Sequence, residues 1–147
     1  MDDAYLKRSR QMAQLLHVAQ QMYRAVNTMV QRFELTESQY NALRVLRGAE
    51  RKSEDLTQAE LAERLIASRA NTTWILDKLE ERKLIRRKGH SDRRKNLVEI
   101  TAAGHKLLSR IDPEFATLLG EILRDVPDTE LEQAVQTVRR FRFDQAG

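Results

Sequence analysis

From Leu6 to Phe33 apolar residues return every three or four positions, at Leu15, Val18 or Ala19, Met22, Val26, Met29 or Val30, and Phe33. An α-helix turns once in about 3.6 residues, so this spacing lays one apolar stripe along a single long helix. Such a stripe has to be covered, by other helices of the chain or by a second copy. The 147 residues include only five Gly and two Pro, too few tight turns for an all-β sandwich. A mainly α domain is therefore expected. With 41% hydrophobic and 33% charged residues the chain is too apolar for disorder and too charged for a membrane span. There is no Cys, which excludes disulfides, Cys-ligated zinc, iron–sulfur clusters and a thiol switch. The N-terminal run MDDAYLKRSRQ has no signal-type apolar core, and a cytoplasmic location is expected.

Thr36-Glu-Ser-Gln39 is a capping box and opens a second helix, expected to run to about Gly48. The polar stretch Ala49–Asp55 reads as a connecting loop. Thr57-Gln-Ala-Glu60 repeats the capping signature and starts a short helix to about Leu65. After the turn Ile66-Ala-Ser68, another helix continues to about Lys83, with Thr72, Ile75, Leu76 and Leu79 facing inward. These two short helices form a helix-turn-helix pattern. Two strand-like runs follow, Ile85–Lys88 and Asn96–Thr101, separated by the polar Gly89–Lys95, and together they read as a hairpin with a basic tip. Thr101 caps a further helix, which Pro113 is expected to kink or interrupt, and a last helix after Pro127 carries Leu131, Ala134, Val135, Val138 and Phe141.

The net charge is only +4, but between Arg82 and Lys95 eight basic residues stand against the single Asp92. A cluster of that kind suits a phosphate backbone. On the helix beginning at Arg69, the face opposite the buried stripe presents Arg69, Asn71, Trp74 and Lys78, with Ser68 and Thr73 beside them. Arg can read guanine, Asn can read adenine, and Trp can pack on a thymine methyl. Thr57 and Gln58 stand at a helix N-terminus, where the dipole favours a phosphate. Arg86 and Lys88 lie on the first strand of the hairpin, and Asp92, Arg93, Arg94 and Lys95 at its tip, where an arginine can enter the minor groove beside an orienting carboxylate. All fourteen residues are candidate DNA contacts.

Residues 36–108 resemble the winged helix-turn-helix core of the MarR family of bacterial transcriptional regulators. The resemblance is carried by Leu56–Leu65, Leu76–Ile85 and Ser91–Gly104. It implies a single MarR-like domain over 1–147, with a winged helix-turn-helix DNA-binding core at 36–101 and a helical dimerisation region at 1–33 and 102–147. It also implies that Asp92 steadies a minor-groove Arg94, that residues 68–74 start the recognition helix, and that a small aromatic or phenolic effector controls DNA binding. His17 is the one residue singled out for the effector pocket. Thr72 stands where the family usually has an apolar residue and Trp74 where a small, polar or basic one is common, so base preference does not carry over.

The implied function is a homodimeric repressor of duplex DNA, acting on a pseudo-palindromic operator. The alternative is a winged helix docking a protein or RNA partner. Catalysis is not expected: His17, His90 and His105 lie in three different elements, and no H-E-x-x-H, Gly-rich phosphate loop or G-x-S-x-G turn occurs. No metal and no cofactor are expected.

Overall fold

The computed structural model describes residues 2–65, 68–89 and 96–142. Its elements follow in the order α1 (Asp3–Gln31), α2 (Glu37–Arg51), β1 (Leu56–Thr57), α3 (Gln58–Leu65), α4 (Arg69–Glu81), β2 (Ile85–Gly89), β3 (Asn96–Ile100), α5 (Ala102–Ile122) and α6 (Asp128–Val138). The mainly helical class with a small hairpin is as expected. Two compact units divide at Phe115, one covering 1–115 and the other 116–147.

In the first unit, the core gathers the inward faces of α2, α3, α4, the sheet and the first half of α5. Leu43, Leu61, Leu76, Leu79 and Leu108 are completely buried there. Both capping boxes form. The Thr36 hydroxyl accepts from the Gln39 N–H at 3.2 Å while Gln39 Oε1 accepts from the Thr36 N–H at 2.9 Å. Thr57 and Glu60 exchange the same pair of bonds, at 3.2 and 2.8 Å.

Three expectations need correction. The second helix does not stop near Gly48 but runs to Arg51. Its exit is a left-handed turn at Ser53, φ 55°, where Ser53 donates to the Glu50 carbonyl and Glu54 to that of Ala49. Second, Leu56–Thr57 is a strand as well as the start of a cap, pairing antiparallel with β3 through Leu56↔Val98 and Thr57↔Leu97. This makes the sheet three-stranded, in the order β1-β3-β2. Third, of the kink or interruption expected at Pro113, the interruption does not occur, because α5 runs through it unbroken. A proline in a helix removes one backbone bond, here to the Ser109 carbonyl. Leu107, Leu108 and Ile111, all buried, anchor the turns before it, and a fork from Arg47 to Asp112 holds the turn where it falls.

On α1 only Met29 and Val30 are buried; Leu15, Leu16, Val18, Met22 and Tyr23 are exposed. In the second unit, α6 follows the N-cap Pro127, has Asp128 and Glu130 in its first turn, where they complement the helix dipole, and buries no residue. Val135 and Val138 are exposed. Among the described residues no helix is long and apolar enough to cross a membrane.

Candidate nucleic-acid interface

Helix α4 owes its orientation to which residues it can bury. Thr72, Ile75, Leu76 and Leu79 are each at most 1% exposed, so the opposite face must look outward. Thr72 is tolerated in this stripe because its hydroxyl donates back to the Ser68 carbonyl at 3.0 Å, leaving no buried polar group unmet. Ser68 is the N-cap, its hydroxyl accepting from the Asn71 N–H at 3.1 Å. Asn71 and Thr73 are exposed on the outward face, and Trp74 is 51% exposed. The half-exposed indole of Trp74 thus stands on the same outward face as the Asn71 amide and the Thr73 hydroxyl.

Several forecast contacts are turned toward protein groups. Gln58 Nε2 donates to the Thr73 hydroxyl at 2.7 Å, joining α3 to α4. The Thr57 hydroxyl donates to Glu60 at 2.8 Å, within its own capping box. Lys78 pairs with Glu81 one turn on, at 2.9 Å. In the wing, Arg86 and Lys88 both reach Glu99, at 2.8 and 2.7 Å, and these bonds, with Lys88 first, hold the Glu99 carboxyl below its usual range. The side chain of Arg69, the turn residues Ile66 and Ala67, and the tip with Asp92, Arg93, Arg94 and Lys95 lie outside the described residues. His17 is exposed midway along α1.

The register of the hairpin sorts its cations by face. Ile85 pairs with Ile100 and Arg87 with Val98, so Arg87 shares the inward face with three buried side chains. Arg86 and Lys88 alternate to the other face, opposite Glu99 and Leu97. Arg87 therefore points at α4. Its guanidinium donates to Glu80 at 2.8 Å and to Asp77 at 2.7 Å, and its backbone N–H donates to Glu80 at 3.0 Å. Its Nε–H is buried without a hydrogen bond among the described residues, a cost set against the two carboxylate bonds its terminal nitrogens make. Counting charge along Arg82–Lys95 missed this residue; strict alternation from the apolar Ile85 would have found it. Arg82, at the end of α4, donates to the carbonyls of Glu34 at 2.5 Å and Phe33 at 3.3 Å, tying α4 to the turn between α1 and α2.

Away from this face, Arg44 on α2 lies 4.8 Å from the Phe115 ring centre and 5.6 Å from that of Tyr40. Tyr40 and Phe115 meet edge to face at 5.7 Å, and burial pushes the Tyr40 hydroxyl above its ordinary range. Among the described residues no group of three His, Cys, Asp or Glu is placed to hold a metal ion.

A short helix, a second helix capped by Ser and exposing a polar and aromatic face, and a hairpin fastened beside it define a winged helix-turn-helix protein. Residues 35–96 match the model of the MarR family. The transcriptional repressor MprA of Escherichia coli strain K12 is 31% identical over 133 residues, spanning 88% of this chain and 74% of MprA. The crystal structure of the transcriptional regulator BldR from Sulfolobus solfataricus superposes with a TM-score of 0.79 at 25% identity, covering 96% of this chain and all of that one. The MepR–DNA complex of S. aureus shares the fold at a TM-score of 0.72 and 21% identity, covering 95% and 93% of the two chains. The chain belongs to the MarR family, and with it to the winged helix-turn-helix transcriptional regulators.

Proposed function

We propose that this regulator is a cytoplasmic repressor that binds a pseudo-palindromic operator in duplex DNA as a homodimer and releases it on binding a small aromatic or phenolic effector. The observation that carries the reading is the outward face of α4, where Asn71, Thr73 and the half-exposed Trp74 stand together beside the wing. The core at 36–101 reads the DNA, with the tip residues Asp92, Arg93, Arg94 and Lys95 following the minor groove. The segments 1–33 and 102–147 supply the dimer contacts.

Support for the dimer comes from the exposed apolar residues Leu15, Val18 and Met22 on α1, and Val135 and Val138 on α6, which water disfavours and a second copy would cover. Two recognition helices related by a two-fold axis meet successive major grooves roughly 34 Å apart, so half-sites are about 10 base pairs from centre to centre. The effector acts through its different affinity for DNA-competent and incompetent spacings. The protein is read as non-catalytic, on the scattered histidines and the missing catalytic motifs of its sequence.

The test is titration with random-sequence duplex DNA at two salt concentrations, following Trp74, the only Trp in the chain, alongside anisotropy of labelled DNA. Salt-sensitive anisotropy with a change in Trp emission is the expected result. No binding at low salt would reject the reading in favour of a module that docks protein, and binding to RNA in preference to duplex DNA would redirect it there.

A further inference from the structure

We propose that Arg87 is a positioning residue for operator selection, fixing the angle between the recognition helix α4 and the wing so that both meet one duplex in register. The inference rests on the DNA-binding reading above and deepens it.

Asp77 and Glu80 are three residues apart on α4, so their carboxylates stand on one side of the helix, one turn apart. Arg87 reaches both with separate nitrogens, Nη2 to Asp77 at 2.7 Å and Nη1 to Glu80 at 2.8 Å. Nη2 also approaches the Thr73 carbonyl, at 3.5 Å, a turn earlier. One planar guanidinium thus follows a ridge of α4 from residue 73 to residue 80. A point cation could satisfy one carboxylate or the other, whereas a fork fixes direction as well as distance.

The backbone adds a second point of attachment. In the order β1-β3-β2, β2 is an edge strand, and the N–H of Arg87 donates outward to Glu80 Oε1 at 3.0 Å. Glu80 therefore holds both the strand and its side chain. Rotation of α4 about its axis, or tilting of the wing away from it, breaks these bonds together. Thr73 is also where α3 attaches, through Gln58 at 2.7 Å, so α3, α4 and β2 meet around one outward-facing residue of the recognition helix.

Arg87 is poorly placed to touch DNA itself. Its side chain is only 22% exposed, and its terminal nitrogens are committed to carboxylates. The other wing cations divide differently: Arg86 and Lys88 bond to Glu99 within the wing. Binding energy at each base contact depends on placement within a fraction of an ångström, and two reading elements hinged loosely would bind DNA while discriminating poorly. Loss of Arg87 should therefore lower selectivity far more than non-specific affinity.

The experiment uses the full chain and a duplex library with a randomised core. Wild type is used to enrich a preferred duplex, and anisotropy then gives the affinity of each protein for that duplex and for a scrambled one, at several salt concentrations. Arg87→Gln should reduce the preferred-to-scrambled affinity ratio about tenfold, the scale of one well-made base contact. Affinity for the scrambled duplex should fall only slightly, by the field of one lost positive charge, and its salt slope should match wild type. Arg87→Lys should lie between the two.

The double variant Asp77→Asn/Glu80→Gln gives the sharper outcome. It removes two negative charges, which should tighten scrambled-duplex binding, yet it should lower the ratio as Arg87→Gln does. A salt slope reduced by about one in Arg87→Gln would make Arg87 a phosphate contact and overturn the proposal. A lowered melting temperature with an unchanged affinity ratio would reduce Arg87 to a stabilising residue and equally overturn it. Failure of wild type to enrich any duplex would instead strike the DNA-binding reading itself, on which this one stands.

Discussion

Arg47 on α2 and Asp112 on α5 meet through a two-point fork, Nη1 to Oδ2 at 2.7 Å and Nη2 to Oδ1 at 2.8 Å. The bond to Arg47 holds the Asp112 carboxyl below its ordinary range, against the opposing effect of burial, and raises Arg47. A carboxylate with a depressed folded-state pKa contributes stability above its unfolded value, near 3.8, and loses it as pH falls through the lower folded value. Asp112→Asn should destabilise the protein by about 1 kcal/mol near neutrality, a figure held down because the Asp112 side chain is 44% exposed to screening solvent. The difference from wild type should shrink below about pH 4. Glu99, also depressed, shares this sign; Glu37, raised mainly by burial, has the opposite one, but both are common to the two proteins. Urea melts at about pH 7 and about pH 3 provide the check, and a gap that persists in acid would contradict it.

Gly104, two residues into α5, allows the helix to start against the sheet. A Cβ there would lie 2.4 Å from the Leu84 carbonyl oxygen and 2.7 Å from Ile100 Cγ1. The carbonyl belongs to the backbone and accepts the Thr101 N–H at 3.1 Å, so it cannot retreat without loosening the helix start. Gly104→Ala should cost roughly 2–3 kcal/mol, despite the higher helix propensity of Ala. Thermal unfolding measures this directly. Gly48→Ala, with open space around its Cβ position inside α2, should be neutral or stabilising and serves as the control.

What could be read from the chain was local and periodic. Thr36 with Gln39 and Thr57 with Glu60 announce helix starts because the bonds they make lie within four residues. The stripe Thr72, Ile75, Leu76 and Leu79 fixes α4 by period, and the outward Asn71 and Trp74 follow from it. A two-residue strand such as Leu56–Thr57 has no period to detect and exists only because Val98 and Leu97 lie beside it. The helix over Pro113 depends on long-range packing and on Arg47, 65 residues away. Arg87 was hidden in a basic run, where charge alone does not reveal which face a residue takes.

The end of α2 shows the same limit and yields a prediction. Gly48 suggests a stop, but the turn is made by Ser53 at φ 55°, a conformation that costs a residue with a Cβ about 1–2 kcal/mol. Glycine adopts it freely, at the expense of greater freedom in the unfolded chain. Ser53 is exposed, and the bonds of the turn are made by backbone groups. Ser53→Gly should therefore stabilise the protein by about 0.5–1 kcal/mol. A lower melting temperature in this variant would show that the Ser53 side chain contributes more than its conformation costs.

Glu99 restrains two cations on the outward face of the wing. Arg86 and Lys88 are 62% and 49% exposed but both bond to it, and the carboxylate is 29% exposed. Glu99→Gln removes one negative charge and the ionic part of both bonds, leaving Arg86 and Lys88 able to swing toward a phosphate backbone. Their hydrated positions make the loss of stability small, below about 1 kcal/mol. Affinity for scrambled duplex DNA should rise a few-fold at low salt, and the advantage should fade as salt is added, because the added contacts release counterions. Anisotropy across a salt series distinguishes this from a general charge effect: new phosphate contacts steepen the slope by up to about two, whereas a distant charge changes affinity with little change in slope. An unchanged affinity at low salt would mean that this face of the wing is turned away from DNA, and Arg86 and Lys88 would leave the set of contact residues.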